Sequence, residues 1–240
     1  MVRRARITHV LFDFFGTLVD YSASRVDQGF EGSHRLLRHL GAELAYADFL
    51  DAWSSISTEF DKRSARDDRE YAMADVGAAF LAGALGREPA VTEVEAFVVQ
   101  YLGEWNTGVR YRLGIEDLLG ELASEYRLAV VTNTQDTFLV PGHLAAMGLT
   151  SLFEAVITSV EVGWRKPHPK IYATALAAVG VSASSAVFVG DSYAPDFLGP
   201  EQVGMTAFLI DPQRRAPVPD SRRLSSIFDL PTKLSNIGDA

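Results

Sequence analysis

Short apolar runs alternate with amphipathic, helix-length stretches in the second half of this chain, and this alternation limits the folds open to it. The runs Arg127–Thr132 (RLAVVT), Ala186–Gly190 (AVFVG) and Met205–Ile210 (MTAFLI) are typical of strands buried on both faces. Stretches with helical spacing, such as Ile115–Tyr126 and Pro169–Val179, separate them. Because strands joined through helices favour parallel pairing with right-handed crossovers, we predict an α/β fold built on a parallel sheet.

The first strand lies far from the others in the sequence. An apolar run at residues 7–12 predicts a buried strand that ends at Asp13. From about Ser22 to Gly108 the spacing is helical throughout and indicates roughly four helices. Within that stretch we interpret the mixed-charge run Asp61–Glu70 as a solvated loop. We also predict an N-cap at Thr92, where Glu95 completes a capping box. The chain is thus predicted to be one α/β domain interrupted by a helical insertion.

Composition excludes several classes of function. The 240 residues include 31 acidic and 22 basic side chains, a net charge of −9, so nucleic acid and anionic membranes are poor candidate partners. The absence of cysteine excludes disulfides, thiolate metal sites and a cysteine nucleophile, and it favours a cytoplasmic protein. No apolar run approaches the ~20 residues that span a bilayer. We predict no signal peptide.

Polar residues follow three of the predicted strands directly. Asp13 follows the first strand, Thr132-Asn133 end the second, and Asp191 follows a later one. Lys166 lies in a loop after a short predicted strand at 155–158. Because the carboxyl ends of parallel strands share one edge of a sheet, we expect these side chains to meet in one crevice. Taken singly, each has an ordinary structural explanation: a surface lysine, a strand end or a helix N-cap.

Such a set suits the chemistry of a phosphoryl group. Asp13 and Asp191 are hard oxygen ligands appropriate to Mg²⁺, and Asp196 can reach the same ion through water. Lys166 can hold an anion as a point charge. The Thr132 side chain and the Asn133 backbone can donate hydrogen bonds to phosphoryl oxygens. The Asp13 carboxylate is then available as a nucleophile, and Gly16 lets the following turn approach the ligand closely.

With these residues taken together, the chain resembles the haloacid dehalogenase superfamily of aspartyl-nucleophile hydrolases. Four motifs occur in the family's order: Asp13-Phe14-Phe15-Gly16-Thr17-Leu18, then Thr132-Asn133, then Arg165-Lys166-Pro167, then Gly190-Asp191-Ser192 with Asp196. The helical stretch resembles the four-helix cap that selects the substrate in one large subfamily. The resemblance implies a Rossmann-like core domain at residues 1–20 and 110–240, and a cap domain at 21–109.

The resemblance also implies roles for individual residues. Asp13 is expected to be the nucleophile, with Thr132 and Lys166 as its catalytic partners. The expected substrate-binding residues are Thr17, Thr132, Asn133 and Lys166. The expected ligands of Mg²⁺ are Asp13, the backbone carbonyl of Phe15, Asp191, and Asp196 through water. The implied reaction is Mg²⁺-dependent hydrolysis of a small phosphorylated metabolite through an aspartyl-phosphate.

One position departs from the phosphatase pattern of the family. Phosphatases usually carry a second Asp two residues after the nucleophile, as general acid and base, and this chain has Phe15 there. General acid–base help is worth about 10²–10⁴ in rate, so an alkoxide leaving group would suffer most from its loss. The histidines at 34, 39 and 168 are candidate substitutes by residue type alone, and each also fits an ordinary surface position.

Phe15 keeps two alternatives open. Dehalogenases of the family carry an aromatic residue there and displace halide from a 2-haloacid without metal. Tyr172, six residues after Lys166, also fits that pattern. Asp191 does not, because dehalogenases have a small polar residue at that position, and two carboxylates without a cation would repel each other. We therefore favour the phosphatase. The third hypothesis is a catalytically impaired homologue that binds a ligand or partner.

Overall fold

The computed structural model describes residues 6–22, 24 and 27–238. The described chain divides into two compact units. One contains the residues up to Asp20 together with those from Tyr111 onward, and the other is Tyr21–Arg110. The first unit holds the sheet and the second is helical.

Eight strands are present in the described part of the chain: β1 (His9–Phe12), β2 (Val19–Asp20), β3 (Arg110–Tyr111), β4 (Arg127–Thr132), β5 (Phe153–Thr158), β6 (Ala186–Gly190), β7 (Thr206–Ile210) and β8 (Arg223–Leu224). Six of them form one sheet in the order β5-β4-β1-β6-β7-β8, and every neighbouring pair is parallel. The strands β2 and β3 form a separate two-stranded sheet. The parallel α/β fold predicted from the alternation of strands and helices is confirmed.

Ten α-helices accompany these strands in the described residues: α1 (Glu31–His39), α2 (Tyr46–Asp67), α3 (Met73–Leu85), α4 (Val91–Trp105), α5 (Ile115–Glu125), α6 (Leu139–Ala146), α7 (Ser159–Val162), α8 (Pro169–Ala178), α9 (Gly199–Gln202) and α10 (Leu230–Gly238). The first four belong to the helical unit. Its core is an aromatic cluster in which Trp53 contacts Phe80, Phe97 and Tyr101, with ring centroids 4.4 to 5.3 Å apart. The aromatic residues Phe49 and Trp53 of α2 therefore pack in this core.

The central strands are buried on both faces. All four residues of β1 are buried, as are all five of β6 and all but the first of β4. On one face Ile171, Tyr172 and Ala175 of α8 pack in one apolar cluster with Leu11 and Phe188. Apolar residues on both sides of a strand leave its polar residues only at its ends, and this places the chemistry at the edge of the sheet.

Three local predictions from the sequence are wrong. Residues 61–67, expected in a loop, continue α2, because their charges lie on its solvated face and Ser64 on its buried face. The helix ends only at Asp68, in the left-handed conformation. Thr92 does not cap α4; the Glu93 carboxylate accepts the Ala90 N–H at 2.7 Å instead. The apolar segment Leu224–Leu230 predicts a C-terminal helix, but Leu224 lies in β8, where it pairs with Ile210 of β7.

Candidate active site

The ends of three adjacent parallel strands bring the predicted site residues to one edge of the sheet. β1 lies between β4 and β6, with Phe12 opposite Val130 on one side and Val189 on the other. The residues that follow therefore emerge together: Asp13 after β1, Thr132 at the end of β4 and Asp191 after β6. Parallel pairing puts the carboxyl ends of these strands at one edge, so residues more than 170 positions apart in the chain lie close together.

Lys166 lies between two carboxylates. Its Nζ is 2.7 Å from Asp13 Oδ1 and 2.7 Å from Asp196 Oδ1. Only 2% of the Lys166 side chain is exposed, so its charge is neutralised by these partners rather than by water. Its Nζ also lies 5.1 Å from the centre of the Phe188 ring. Lysines usually lie on the surface, but Lys166 is a buried member of this cluster.

Three carboxylates surround the position expected for a cation. Single oxygens of Asp13, Asp191 and Asp196 all lie within 4.8 Å of one another. Two glycines make this approach possible: a Cβ on Gly16 would lie 2.1 Å from Asp191 Oδ2, and one on Gly190 would lie 2.4 Å from Asp196 Cγ. A compact set of carboxylate oxygens with little room for any side chain beside it fits a hard divalent cation such as Mg²⁺.

The pKa values in the cluster reflect burial first and the neighbouring charges second. Burial raises the pKa of Asp196 to about 7, although Lys166 opposes this shift. Desolvation and then the charge of Asp13 raise the pKa of Asp191, whose side chain solvent can still reach. Burial acts to lower the pKa of Lys166, but the two adjacent carboxylates outweigh it and raise that pKa. The lysine is therefore charged, and one ammonium does not balance the negative charge of three ionised carboxylates.

Two threonines line the same edge. The Thr132 hydroxyl is buried and has no hydrogen-bond partner among the described residues. A buried hydroxyl without a partner costs free energy unless a ligand accepts its hydrogen bond, and a phosphoryl oxygen could be that acceptor. The Thr17 side chain is fully buried, and its hydroxyl donates to Asp13 Oδ2 at 3.4 Å.

The side chain of Asn133 is directed at the loop that carries the lysine. Its Oδ1 accepts the backbone N–H of Lys166 at 2.7 Å, and its Nδ2 donates to the carbonyl of Lys166 at 3.0 Å. The sequence indicated a role for the backbone of this residue in binding substrate. It did not indicate that the side chain would hold Lys166, because the two residues lie 33 positions apart.

Asp196 lies in a wide turn that the sequence did not predict. The sequence from Asp196 to Val203 predicts a short helix. In the structure residues Tyr193–Leu198 form a π-helical turn, and the short helix α9 follows it. Asp196 Oδ2 accepts the Ser192 N–H at 2.9 Å, while Oδ1 holds Lys166. A π-helical turn inserts one extra residue per turn and is frequent at functional sites.

Tyr172, whose spacing from Lys166 fits the dehalogenase pattern, lies in the core beside the turn that carries Asp196. It is fully buried in the core on α8, and its hydroxyl donates to the carbonyl of Pro195 in the π-helical turn. A Cβ on Gly199 would lie 2.2 Å from the Tyr172 oxygen, so the ring fills the space that this glycine leaves. The hydroxyl is thus engaged by backbone beneath the turn that carries Asp196.

A histidine that sequence reasoning missed lies beside Phe15. The ring of His143, on α6, is 6.1 Å from that of Phe15 and 5.9 Å from that of Phe14. Its Nδ1 is 3.0 Å from the hydroxyl of Tyr111, and burial lowers the pKa of His143. An apolar helix offers no signal for such a contact. Of the histidines singled out by type, that at 168 stacks on Trp164 with its Nδ1 accepting the Lys170 N–H.

The fold and the cluster at its edge define an α/β protein in which three acidic groups and Lys166 meet at the carboxyl ends of parallel strands. The chain belongs to the haloacid dehalogenase-like hydrolase family, whose family model matches residues 7–204. The predicted resemblance to this family is confirmed.

Individual relatives cover only part of this sequence. The chain is 38% identical over 124 residues to human haloacid dehalogenase-like hydrolase domain-containing protein 3, a match that covers 49% of each. It is 34% identical over 130 residues to a phosphoglycolate phosphatase of Pectobacterium atrosepticum, covering 50% of this chain and 55% of the relative. The chain thus spans about half the length of the curated relatives it matches.

Solved structures share the fold over nearly the whole chain. A 2-haloacid dehalogenase from Pseudomonas syringae superposes with a TM-score of 0.67 at 24% identity, covering 96% of this chain and 99% of the other. A phosphatase of the same superfamily from Thermococcus onnurineus gives 0.66 at 24% identity, covering 95% and 98%. Both kinds of enzyme therefore share this fold. Among the described residues, no helix is both long and apolar enough to cross a membrane.

Proposed function

We propose that this hydrolase is a Mg²⁺-dependent phosphatase that acts on a small phosphorylated metabolite through an aspartyl-phosphate. The observation that carries the proposal is a charge count. Three carboxylates, Asp13, Asp191 and Asp196, share the site with one ammonium group, that of Lys166. With all four ionised, the cluster carries a net charge of −2, which one divalent cation balances.

The same count argues against a metal-free dehalogenase. Without a cation, Asp13 and Asp191 repel each other, and a nucleophile must remain ionised to attack. The proposed ligands are Asp13, the Phe15 carbonyl, Asp191 and, through water, Asp196. A bound Mg²⁺ would supply positive charge against the phosphoryl oxygens.

The proposed reaction has two steps, and four side chains of the chain take part in them. An oxygen of Asp13 forms a bond to phosphorus while the bond to the leaving oxygen breaks, and the leaving group departs as an anion with the electron pair of that bond. Water then attacks phosphorus, which releases phosphate and restores the Asp13 carboxylate. Thr132 donates its unused hydroxyl hydrogen to a phosphoryl oxygen, and Lys166 offsets the negative charge of the transferring group. Thr17 orients the attacking carboxylate through its hydrogen bond to Oδ2.

Phe15 narrows the substrate class. Its ring cannot deliver a proton, so leaving groups that depart as stable anions are favoured. Acyl and aryl phosphates meet this condition, and alkyl phosphates do not. We expect alkyl phosphates to react about 10²–10⁴-fold more slowly, the usual contribution of a general acid.

The named relatives agree with this choice. Three sequence relatives above 30% identity are named phosphatases of glyceraldehyde 3-phosphate, phosphoglycolate and ribulose 1,5-bisphosphate. The dehalogenases share the fold at lower identity. All the named substrates are small phosphorylated metabolites, which supports the phosphatase reaction. They are alkyl phosphates, so Phe15 sets the leaving groups expected for this chain apart from those of the named relatives.

A paired assay tests the proposal. The protein is incubated with acetyl phosphate or 4-nitrophenyl phosphate, with Mg²⁺ or with EDTA, and separately with 2-chloropropionate. We expect phosphate release that requires Mg²⁺ and no chloride release. Asp13→Asn should lower phosphate release by about 10⁴-fold or more, because the nucleophile is lost.

The dehalogenase remains the second candidate, because Phe15 matches its pattern. Chloride release from 2-chloropropionate that is indifferent to EDTA would establish it and reject the phosphatase. Folded protein with neither activity would reject both reactions. Unchanged turnover in Asp13→Asn would reject the nucleophile.

A further inference from the structure

We infer that Asn133 is a positioning residue: its side-chain amide fixes the backbone of Lys166 and so places the lysine ammonium between the two carboxylates. The inference rests on the proposed function of the site, and it assigns the Asn133 side chain a role separate from substrate contact.

The hydrogen-bond pattern defines the orientation of the amide. Asn133 Oδ1 accepts the Lys166 N–H at 2.7 Å, and Nδ2 donates to the Lys166 carbonyl at 3.0 Å. Rotating the amide by 180° would set its NH₂ against a backbone N–H and its oxygen against a carbonyl. Both contacts would then be repulsive, so only one orientation is compatible with Lys166. The amide thus satisfies both backbone polar groups of one residue, as a neighbouring strand would.

The lysine needs this support because of where it lies. Residues 163–168 belong to neither a helix nor a strand of the main sheet, and a loop lacks the ladder that fixes a strand. The lysine side chain has four rotatable bonds and yet must meet two carboxylates at 2.7 Å at once. Holding the Lys166 backbone fixes the point from which the side chain reaches both carboxylates.

Asn133 is itself firmly held. It directly follows β4, an interior strand of the sheet. The next residue, Thr134, donates its N–H to Ser159 Oγ at 2.9 Å, and that hydroxyl donates back to the Thr134 carbonyl at 3.1 Å. The end of β4 therefore holds Asn133, and Asn133 holds the Lys166 backbone through two hydrogen bonds. Lys166 in turn contacts Asp13 and Asp196.

Kinetics of Asn133→Ala give the first test. With Mg²⁺ and 4-nitrophenyl phosphate we expect kcat to fall by about 10- to 100-fold, the usual effect of losing a residue that orients a functional group, with a smaller change in KM. Asn236→Ala, which removes an exposed amide on α10, is the matched control and should behave as the parent protein. A rise in KM with unchanged kcat would show direct substrate contact and overturn the inference, as would no effect.

A double-mutant cycle distinguishes acting through Lys166 from acting on substrate. In a Lys166→Met background the lysine ammonium is absent, so adding Asn133→Ala should lower the residual activity by less than about twofold. Equal fold losses in both backgrounds would show that Asn133 acts independently, and would reject the inference.

Amide hydrogen exchange tests the contact without turnover. In Asn133→Ala the Lys166 N–H loses its acceptor, so its exchange should accelerate by at least about tenfold, while that of the β4 amides stays the same. Unchanged exchange at Lys166 would overturn the inference. Because this measurement needs no substrate, a protein that lacks phosphatase activity but shows the exchange effect would reject the proposed function alone.

Discussion

Charge balance around Lys166 is the central feature at the scale of single residues. A buried ammonium held by two carboxylates at 2.7 Å is tolerated only because each charge has a partner. Asp191 is the carboxylate of the cluster that has no contact with the lysine at that distance, and it remains open to solvent. The lysine thus partly balances the charges of Asp13 and Asp196. Asp191 is the carboxylate whose charge a bound cation would balance most directly.

Asp191→Asn should therefore weaken Mg²⁺ binding most selectively. We expect the Mg²⁺ concentration for half-maximal activity to rise by about tenfold or more, because one anionic ligand is lost. A Mg²⁺ titration of activity measures this. Thermal unfolding gives a second readout: Mg²⁺ at 100 times its dissociation constant stabilises the parent protein by about 2.7 kcal/mol, and this stabilisation should shrink in the variant.

Asp51→Asn on the exposed surface of α2 is the control for this experiment, and its Mg²⁺ response should match that of the parent protein. A variant at 191 with an unaltered Mg²⁺ titration would place the cation elsewhere or remove it from the reaction.

At the scale of elements, the π-helical turn that carries Asp196 depends on a residue from another helix. The Tyr172 hydroxyl, from α8, donates to the Pro195 carbonyl within the turn. Tyr172→Phe should lower the free energy of unfolding by about 1–3 kcal/mol, because the partly buried Pro195 carbonyl loses this donor while the ring still fills its space. Urea denaturation measures this difference.

The partly buried Tyr126 lies at the end of α5, and Tyr126→Phe is the matched hydroxyl deletion. It should change stability by no more than about 0.5 kcal/mol. Equal losses in the two variants would mean that the bond to Pro195 contributes nothing specific.

The start of α1 depends in the same way on a side chain from α4. The Glu104 carboxylate accepts the Ser33 N–H at 2.9 Å and the Ser33 hydroxyl at 2.6 Å, and it also accepts the Gly32 N–H. It therefore caps a helix whose own N-cap residue, Phe30, makes no side-chain cap bond.

Glu104→Gln should cost about 1–2 kcal/mol of stability, because an amide has one acceptor oxygen and lacks the charge that favours a helix N-terminus. Urea denaturation measures the loss, and faster amide exchange in α1 would localise it. Glu95→Gln, at an exposed position of α4, should be close to neutral. A loss at 104 no larger than that at 95 would reject the capping role.

At the scale of the whole molecule, His9 links stability to pH. Burial lowers the pKa of His9; the carboxylate of Glu154 opposes this shift and the guanidinium of Arg127 adds to it. Because the folded state binds the proton less well than the unfolded state, stability is full above pH ~6.5 and declines as the pH falls below it.

His9→Gln cannot be protonated, so its free energy of unfolding should depend less on pH between 7 and 5. The difference in slope is at most about 1.4 kcal/mol per pH unit, the limit for one proton. Urea denaturation at several pH values measures it. His39→Gln, an exposed ring at the end of α1, should follow the parent protein. Parallel curves for the parent and the His9 variant would contradict the prediction.

Much of the fold could be predicted from the order of residues along the chain. The strands Arg127–Thr132 and Ala186–Gly190 agree with their predicted bounds because each is an unbroken apolar run between polar residues. Parallel pairing follows from the intervening helices, and the shared edge follows from parallel pairing. The acids that follow β1 and β6, and the lysine after β5, were therefore identifiable as a group before any distance was known.

Tertiary structure alone decided which partner each polar atom has. The amide of Asn133 meets Lys166, the hydroxyl of Tyr172 meets Pro195, and His143 packs beside Phe15. Periodicity reports which face of an element is buried, but it carries no information about contacts between elements far apart in the chain. Those contacts depend on side-chain packing in three dimensions, so the residues for the site came from the sequence and their arrangement came from the fold.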